Sequence, residues 1–397
     1  MGILTAPRLD TTRAADAIRV MVVDDAVVPR GMMVRWINAE PDLKVVAALH
    51  NGREAIEHLE RTAPDVVLLD VDMPEIDGIT ALPRLLEMRR DLVVLMVSTL
   101  IRRNAEVSLR ALGLGALDYL TKPETNRDLT GSLTFRRDLI DKIRALCSGR
   151  HRRLGWSAAG KTTPVPTISR HRPPISRASP SIVPDAVEAD PGPGRALRPF
   201  SRVAPRALVI GSSTGGPQAV NAVIGALGPV IDLAPVLITQ HMPPTFTGIF
   251  ADHLARANDL CVREAEQGEP VYPGRVYVAP GGRHMRVVRS GADTRIVLDD
   301  GHLINFCKPA VDPLFSSAAA VWGPATLALV LTGMGSDGLQ GAADVVAAGG
   351  SVIAQDRESS VVWGMPGSVA KAGLCSAILP IDQLAARIAR LFSGGWS

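Results

Sequence analysis

The sequence predicts an α/β protein: two doubly wound parallel-sheet domains joined by a linker. Three observations carry this. Short apolar runs rich in β-formers alternate with amphipathic stretches through both halves of the 397-residue chain, the pattern of a parallel sheet with helices on both faces. Most of those runs end in chemically capable residues, and such sheets gather function at the carboxyl ends of their strands. Between the halves, Ser148–Arg202 holds ten Lys/Arg against three Asp/Glu and nine of the 30 prolines. It lacks any helical or strand period and reads as an extended, solvated tether. The expected division is a loose tail over 1–16, a first domain over 17–147, a linker over 148–203 and a second domain over 204–395.

Composition excludes several classes. A hydrophobic fraction of 46% supports real cores. No run approaches the roughly 18 apolar residues that span a membrane, and the first twenty residues lack a basic head followed by an apolar block. We therefore expect a cytoplasmic chain without membrane insertion. Cys147, Cys261, Cys307 and Cys375 form no CxxC pair and read as free thiols, neither a disulfide framework nor a zinc site. The net charge is +3, but the linker carries the basic excess and the remainder is net acidic. This removes the main support for nucleic-acid binding.

In the first half, Arg19–Val23 is an apolar strand ending in Asp24-Asp25. Asp65–Asp70 is a second and also ends in an acid. Leu92–Val97 leads to Ser98-Thr99, and Leu117–Leu120 to Thr121-Lys122-Pro123. Amphipathic stretches such as Gly52–Arg61 and Asn104–Gly113 separate them, and a helical series at Leu139, Ile140, Ile143 and Leu146 closes the half. Asp24, Asp25, Asp70, Ser98 and Lys122 thus meet at one sheet edge. Three neighbouring carboxylates repel, and a hard divalent cation such as Mg²⁺ neutralises them. One carboxylate can then act on a phosphoryl group, with Lys122 and Ser98 available to its oxygens.

The motifs VVDDA, DVVLLDVDMPEIDG, VSTL and DYLTKP resemble a response-regulator receiver domain, a flavodoxin-like fold, over about Ile18–Leu146. The resemblance implies that Asp70 is the phospho-acceptor and that Asp24, Asp25 and Asp70 hold Mg²⁺ together with the carbonyl of Asp72. It implies that Ser98 and Lys122 read the acyl phosphate and that Tyr119 is the switch aromatic. Ala26 with Pro29 departs from the family pattern at the start of the first helix.

In the second half, Ala207–Pro217 reads ALVIGSSTGGP: a strand, a glycine turn, then a segment of helical period. Glycines allow close backbone approach, and a hydroxyl at a helix start sits where an oxyanion is stabilised. Further strands are Pro235–Thr239, followed by Gln240-His241; Val276–Ala279; Thr326–Leu331, followed by TGMGSDG; and Gly349–Ala354. Their ends present Ser212 or Ser213, His241 and Asp337, the composition of a hydrolytic triad. The order Ser, His, Asp and the glycine spacing differ from the α/β-hydrolase pattern. The loop also lacks the Lys and the glycine order of nucleotide-binding motifs. A nucleotide-binding effector and a non-enzymatic adaptor are the competing readings.

IGSSTGGP, TQHMPP, VAPGGRHM, VDPLFSS and LTGMGSDG resemble the catalytic domain of the chemotaxis protein-glutamate methylesterase family, with a Rossmann-like fold, over about Ala204–Leu391. The resemblance assigns Ser213 as nucleophile, His241 as base and Asp337 as acid, and maps the oxyanion hole to the amide of Met334; the amide of Thr214 is expected to join it. It gives His284 no catalytic role. GALGPVIDLAP is expected to form a surface loop. The implied activity is hydrolysis of glutamate γ-methyl esters on chemoreceptors with release of methanol, and deamidation of receptor glutamines by the same chemistry. A chemotaxis histidine kinase is the implied phosphodonor. The receiver is expected to obstruct the active site until phosphorylated.

Overall fold

The computed structural model describes residues 17–99, 102–123, 133–157 and 197–395; the expected tail and most of the expected linker lie outside them. The first half contains β1 (Ile18–Val23), α1 (Val27–Asn38), β2 (Leu43–Leu49), α2 (Gly52–Thr62) and β3 (Val66–Asp70). It continues through α3 (Gly78–Met88), β4 (Val93–Thr99), α4 (Arg102–Gly113), β5 (Asp118–Lys122) and α5 (Leu133–Ser157). The strands form one parallel sheet in the order β2-β1-β3-β4-β5. All five residues of β3 are buried, which explains its unbroken apolar run. Asn51 and Asp77 cap α2 and α3 by accepting from Glu54 N and Thr80 N. Ala26 has no side chain to cap α1. Pro29 sits in the first turn of that helix, where a missing N–H costs nothing.

The second half contains β6 (Ala207–Ser212), α6 (Gly216–Ala226), α7 (Val230–Leu233), β7 (Val236–Gln240), α8 (Pro244–Asn258), β8 (Val262–Glu264) and β9 (Val276–Val278). Then come the strands β10 (His284–Ser290) and β11 (Asp293–Asp299), α9 (Val311–Trp322), β12 (Thr326–Val330) and α10 (Leu339–Ala347). β13 (Ser351–Gln355), α11 (Met365–Lys371), β14 (Ala377–Leu379) and α12 (Ile381–Phe392) complete it. Seven strands pair in parallel in the order β14-β13-β12-β6-β7-β9-β8. The antiparallel hairpin β10-β11 stands apart from that sheet and packs Met285, Val287, Ile296 and Leu298 into the same core as Leu314 and Phe315 of α9.

The strand order switches direction between β1 and β3 in the first sheet and between β12 and β6 in the second. At such a switch point two loops diverge and leave a crevice at the carboxyl edge. Asp24 and Asp70 lie at the ends of the strands that flank the first crevice, and Ser213 and Asp337 follow those that flank the second; Ser98, Lys122 and His241 lie one or two strands further along the same edges.

Three features depart from the sequence expectations. GALGPVIDLAP is not merely a surface loop: it carries α7, with Val230 and Ile231 buried. Helix α5 runs past Cys147 to Ser157. Leu197–Arg202 seats against the second domain: Arg198 N donates to Cys375 O at 2.9 Å and Ser201 N to Ser351 Oγ at 2.8 Å, and the Arg387 guanidinium lies 4.5 Å from the Phe200 ring centre. Among the described residues no helix is long and apolar enough to cross a membrane.

The two domains pack together. Helix α4 lies against α6 and α8. Tyr119 of β5 stacks on Phe246 of α8, with ring centres 4.6 Å apart and planes 4° from parallel, and Gln218 Nε2 donates to Ala116 O at 2.8 Å.

Candidate active site

On the first sheet, Asp24 and Asp25 follow β1 and Asp70 ends β3. Their carboxylates offer ligand atoms that all lie within 4.8 Å of one another. Lys122, at the end of β5, reaches Asp24 Oδ2 and Asp70 Oδ2 at 2.7 Å each. Burial pushes the Asp70 carboxyl up to about 6, Lys122 opposes that, and the neighbouring Asp24 charge adds to it. A single buried lysine does not satisfy this much negative charge. A hard, oxygen-only donor set of this size fits a divalent cation. The Asp72 side chain is exposed and lies outside the cluster; the role implied for that residue is through its carbonyl. Ser98 Oγ pairs with Ser108 Oγ at 3.1 Å. Tyr119 is buried against the second domain.

On the second sheet, Ser213 follows β6, His241 follows β7 and Asp337 lies beyond β12. His241 Nε2 and Asp337 Oδ2 are 2.7 Å apart. Asp337 is 2% exposed and also accepts from Val311 N at 2.6 Å, Gly338 N at 2.9 Å, Asn305 Nδ2 at 3.1 Å and Asp312 N at 3.2 Å. Burial works against its charge, but His241 and these donors outweigh burial and hold the carboxyl down at about 2. Burial also opposes charge on His241. The facing Cys307 sulfur and Asp337 outweigh it and lift the imidazole to about 10.

Ser213, Thr214, His241 and Met334 line one cavity of about 930 Å³, whose other wall is built from β5 and α5 of the first domain. Ser213 N donates to Thr332 O at 3.0 Å, and Ser213 O accepts from Gln240 Nε2 at 2.9 Å. The nucleophile candidate is therefore fixed through its backbone. The neighbouring Ser212 Oγ is taken by Gln240 Oε1 at 2.6 Å, which leaves Ser213 as the hydroxyl that faces the cavity. Among the described residues no hydrogen bond joins Ser213 Oγ to His241. Nor is the amide of Thr214 or Met334 taken by a partner there, so both stay available as donors. A Cβ on Gly333 would stand 2.3 Å from Met365 Sδ and 2.9 Å from Ser213 Cβ; only glycine allows that approach.

Three residues had no assigned role from sequence. Cys307 Sγ lies 3.3 Å from His241 Nδ1. Asn305 bridges Asp337 and Asp312, its Nδ2 lying 3.0 Å from Asp312 Oδ2. His284 is 1% exposed; its Nδ1 accepts from Ala310 N at 3.1 Å and its Nε2 lies 2.9 Å from His302 O. It therefore ties together the two ends of the loop that carries Asn305 and Cys307. His284 stands in the motif VAPGGRHM, but no motif marks Asn305 or Cys307, because each works across a long-range contact.

An acidic pocket at the edge of one doubly wound sheet, joined to a serine–histidine–aspartate set on another, defines a class: a receiver-bearing hydrolase whose catalytic fold is not that of the α/β-hydrolases. Residues 20–134 match the response regulator receiver domain family and residues 208–388 the CheB methylesterase family. The chain belongs to the CheB methylesterase family. It is 57% identical over 384 residues to a protein-glutamate methylesterase/protein-glutamine glutaminase of group 2 operon from Bradyrhizobium diazoefficiens, covering 97% of this chain and 96% of that protein. A protein-glutamate methylesterase/protein-glutamine glutaminase from Rhodopseudomonas palustris is 54% identical over 390 residues, 98% of this chain and 97% of that one. Among solved structures, the Thermotoga maritima CheB methylesterase catalytic domain is 42% identical, covers 48% of this chain and 100% of its own, and gives a TM-score of 0.46.

Proposed function

We propose that this chain is a protein-glutamate methylesterase and protein-glutamine glutaminase governed by its receiver domain and serving adaptation in chemotaxis. One observation carries the reading: a His241–Asp337 pair, its carboxylate buried, faces the cavity that holds Ser213, at the carboxyl edge of the second sheet. Ser213 Oγ attacks the carbonyl carbon of a glutamate γ-methyl ester on the cytoplasmic helices of a chemoreceptor. His241 Nδ1, the ring nitrogen that Asp337 leaves open, takes the hydroxyl proton. It returns that proton to the methoxide as the C–O bond breaks, so methanol leaves and the glutamyl group stays on Ser213. Water then attacks this ester, and its proton passes through His241 to Ser213 Oγ. With a glutamine substrate the leaving group is ammonia. The amides of Met334 and Thr214 stabilise the tetrahedral oxyanion, a contribution of about 3 kcal/mol per donor.

Control runs through Asp70. Its carboxylate oxygen bonds to phosphorus as the P–N bond to the histidine of a chemotaxis kinase breaks. Asp24, Asp25, Asp70 and the carbonyl of Asp72 would hold Mg²⁺, which would supply the positive charge that this pocket and an arriving phosphoryl group require. Lys122 and Ser98 receive the phosphoryl oxygens, and Tyr119, stacked on Phe246, carries the change to the catalytic domain. We place the regulatory unit at 17–147, with α5 running on into the 148–203 linker, and the catalytic unit at 204–395. The site of action is the cytoplasm.

The test is methanol release from methylated receptor membranes with and without acetyl phosphate and Mg²⁺. Release should rise with phosphodonor and vanish in Ser213→Ala. Near-normal release from that variant would overturn the assignment.

A further inference from the structure

We propose that the turn Ile304–Cys307 clamps the catalytic base while the receiver is docked, so that receiver control reaches the chemistry of His241 as well as access to the cavity. The inference rests on the esterase reading above. Ile304 and Cys307 exchange both backbone hydrogen bonds, at 3.1 and 2.8 Å. The two residues between them, Asn305 and Phe306, have φ of 51° and 63°. That conformation is common for Asn and strained for a bulky aromatic. Burial does not compensate, since Phe306 is 76% exposed. What the ring touches is the receiver: the Arg137 guanidinium of α5 lies 4.6 Å from its centre, a cation–π distance. Strain kept at an exposed residue points to a role for that contact.

The residues on either side of Phe306 each hold one member of the catalytic pair. Asn305 Nδ2 donates to Asp337 Oδ1 at 3.1 Å, and Cys307 Sγ lies 3.3 Å from His241 Nδ1. The base of the loop is fixed. His284 ties His302 to Ala310, Gly282 N donates to Lys308 O at 3.1 Å, and Lys308 Nζ donates to the carbonyls of Asp300 and Gly301. A pull on Phe306 is therefore taken up at the tip, where Asn305 and Cys307 sit. Asp337 occupies Nε2, so Nδ1 is the atom that must accept the Ser213 proton, and Cys307 sits on it. With Cys307 and Asp337 on its two nitrogens the ring favours the imidazolium, which has no lone pair to offer. A receiver that only blocked access would leave a small ester free to react; a clamped base would not.

The test uses the full chain and p-nitrophenyl acetate, with kcat and KM read separately, with and without acetyl phosphate and Mg²⁺. Cys307→Ala should raise kcat without phosphodonor by about fivefold or more, the usual size of a coupling between sites, with KM unchanged and phosphodonor stimulation reduced. Arg137→Ala, on the α5 wall of the cavity, should do the same without altering Ser213, His241, Asp337 or the turn itself, and it carries the test if the Cys307 variant misfolds. An unphosphorylated kcat that stays within about twofold of the parent in both variants overturns the proposal. So does a fall in kcat in Cys307→Ala, which would make the thiol a support of the base rather than a clamp. A rise confined to Cys307→Ala overturns the link to the receiver. Ser213→Ala separates the two readings: hydrolysis that survives in it removes the esterase assignment, and the clamp with it.

Discussion

Asp337 is a small group under many demands. It is 2% exposed, yet it accepts from three backbone amides, an asparagine and an imidazole. Burial alone would raise its pKa; its partners hold it at about 2, below the ordinary 3.8. A depressed carboxyl contributes stability above its unfolded pKa and loses it as pH falls through the folded value. Its contribution, on the order of 2 kcal/mol, is therefore lost between about pH 4 and pH 2. His241 shows the same interaction from the other side. Burial opposes its charge, while Cys307 and Asp337 raise it to about 10. Its share is complete below its unfolded pKa of about 6.5 and is lost as pH rises toward 10. The pair thus stabilises the fold most between about pH 4 and 6.5. Thermal unfolding of Asp337→Asn should show a flattened acid limb relative to the parent, and an unchanged limb would show that the pair is energetically silent. The same variant should lose kcat by roughly 10³–10⁴-fold, since the imidazole loses the group that sets its tautomer.

Among the elements, the strand ends decide the site. Ser213, His241 and Asp337 follow β6, β7 and β12, three adjacent strands of the sheet, and Gly333 lets the β12 loop press against Ser213. Gly333→Ala must displace the Met365 side chain and also press on Ser213. Overpacking of this kind costs about 1–3 kcal/mol, so a lower Tm together with a clear fall in kcat is expected. Normal kinetics would mean that the loop yields without moving the nucleophile. These strand ends were legible in the sequence because a buried parallel strand reads as an unbroken apolar run, and whatever follows the run lies at the edge. Asp24, Asp70 and Lys122 were legible for the same reason. The hairpin β10-β11 was not: Arg286, Arg289 and Arg295 interrupt its apolar positions, and its core face forms only against α9. β2 was missed as well, since its sequence LKVVAAL leaves most side chains partly exposed. Asn305 and Cys307 were illegible on different grounds. Their partners lie 32 and 66 residues away in the chain, and only the left-handed turn between them aims both at the site.

For the molecule as a whole, the cavity is shared property, with walls from both domains. Removing residues 1–196 opens one wall, uncovers Phe246 and the helix faces on which Tyr119 and α4 rest, and leaves all seven strands of the second sheet in place. The fragment 197–397 should hydrolyse methylated receptors without phosphodonor, at a rate at or above that of the stimulated full chain. A folded but inactive fragment would argue that the receiver contributes to catalysis as well as restraining it. In the full chain, chelating Mg²⁺ or replacing Asp70 by Asn should abolish stimulation by acetyl phosphate, measured as methanol release. Stimulation that persists in Asp70→Asn would place the phosphoryl group elsewhere.

The segment Leu197–Arg202 gives the assembly a front and a back. Its hydrogen bonds fall on Ser351, at the amino end of β13, and on Cys375, just before β14, whereas Ser213, His241 and Asp337 lie at the opposite, carboxyl edge. The leash is thus fastened behind the jaw. The residues that enter the catalytic domain therefore keep clear of the mouth, and a receiver that has let go stays on the molecule. Shortening the leash should therefore hinder release well before it obstructs the substrate.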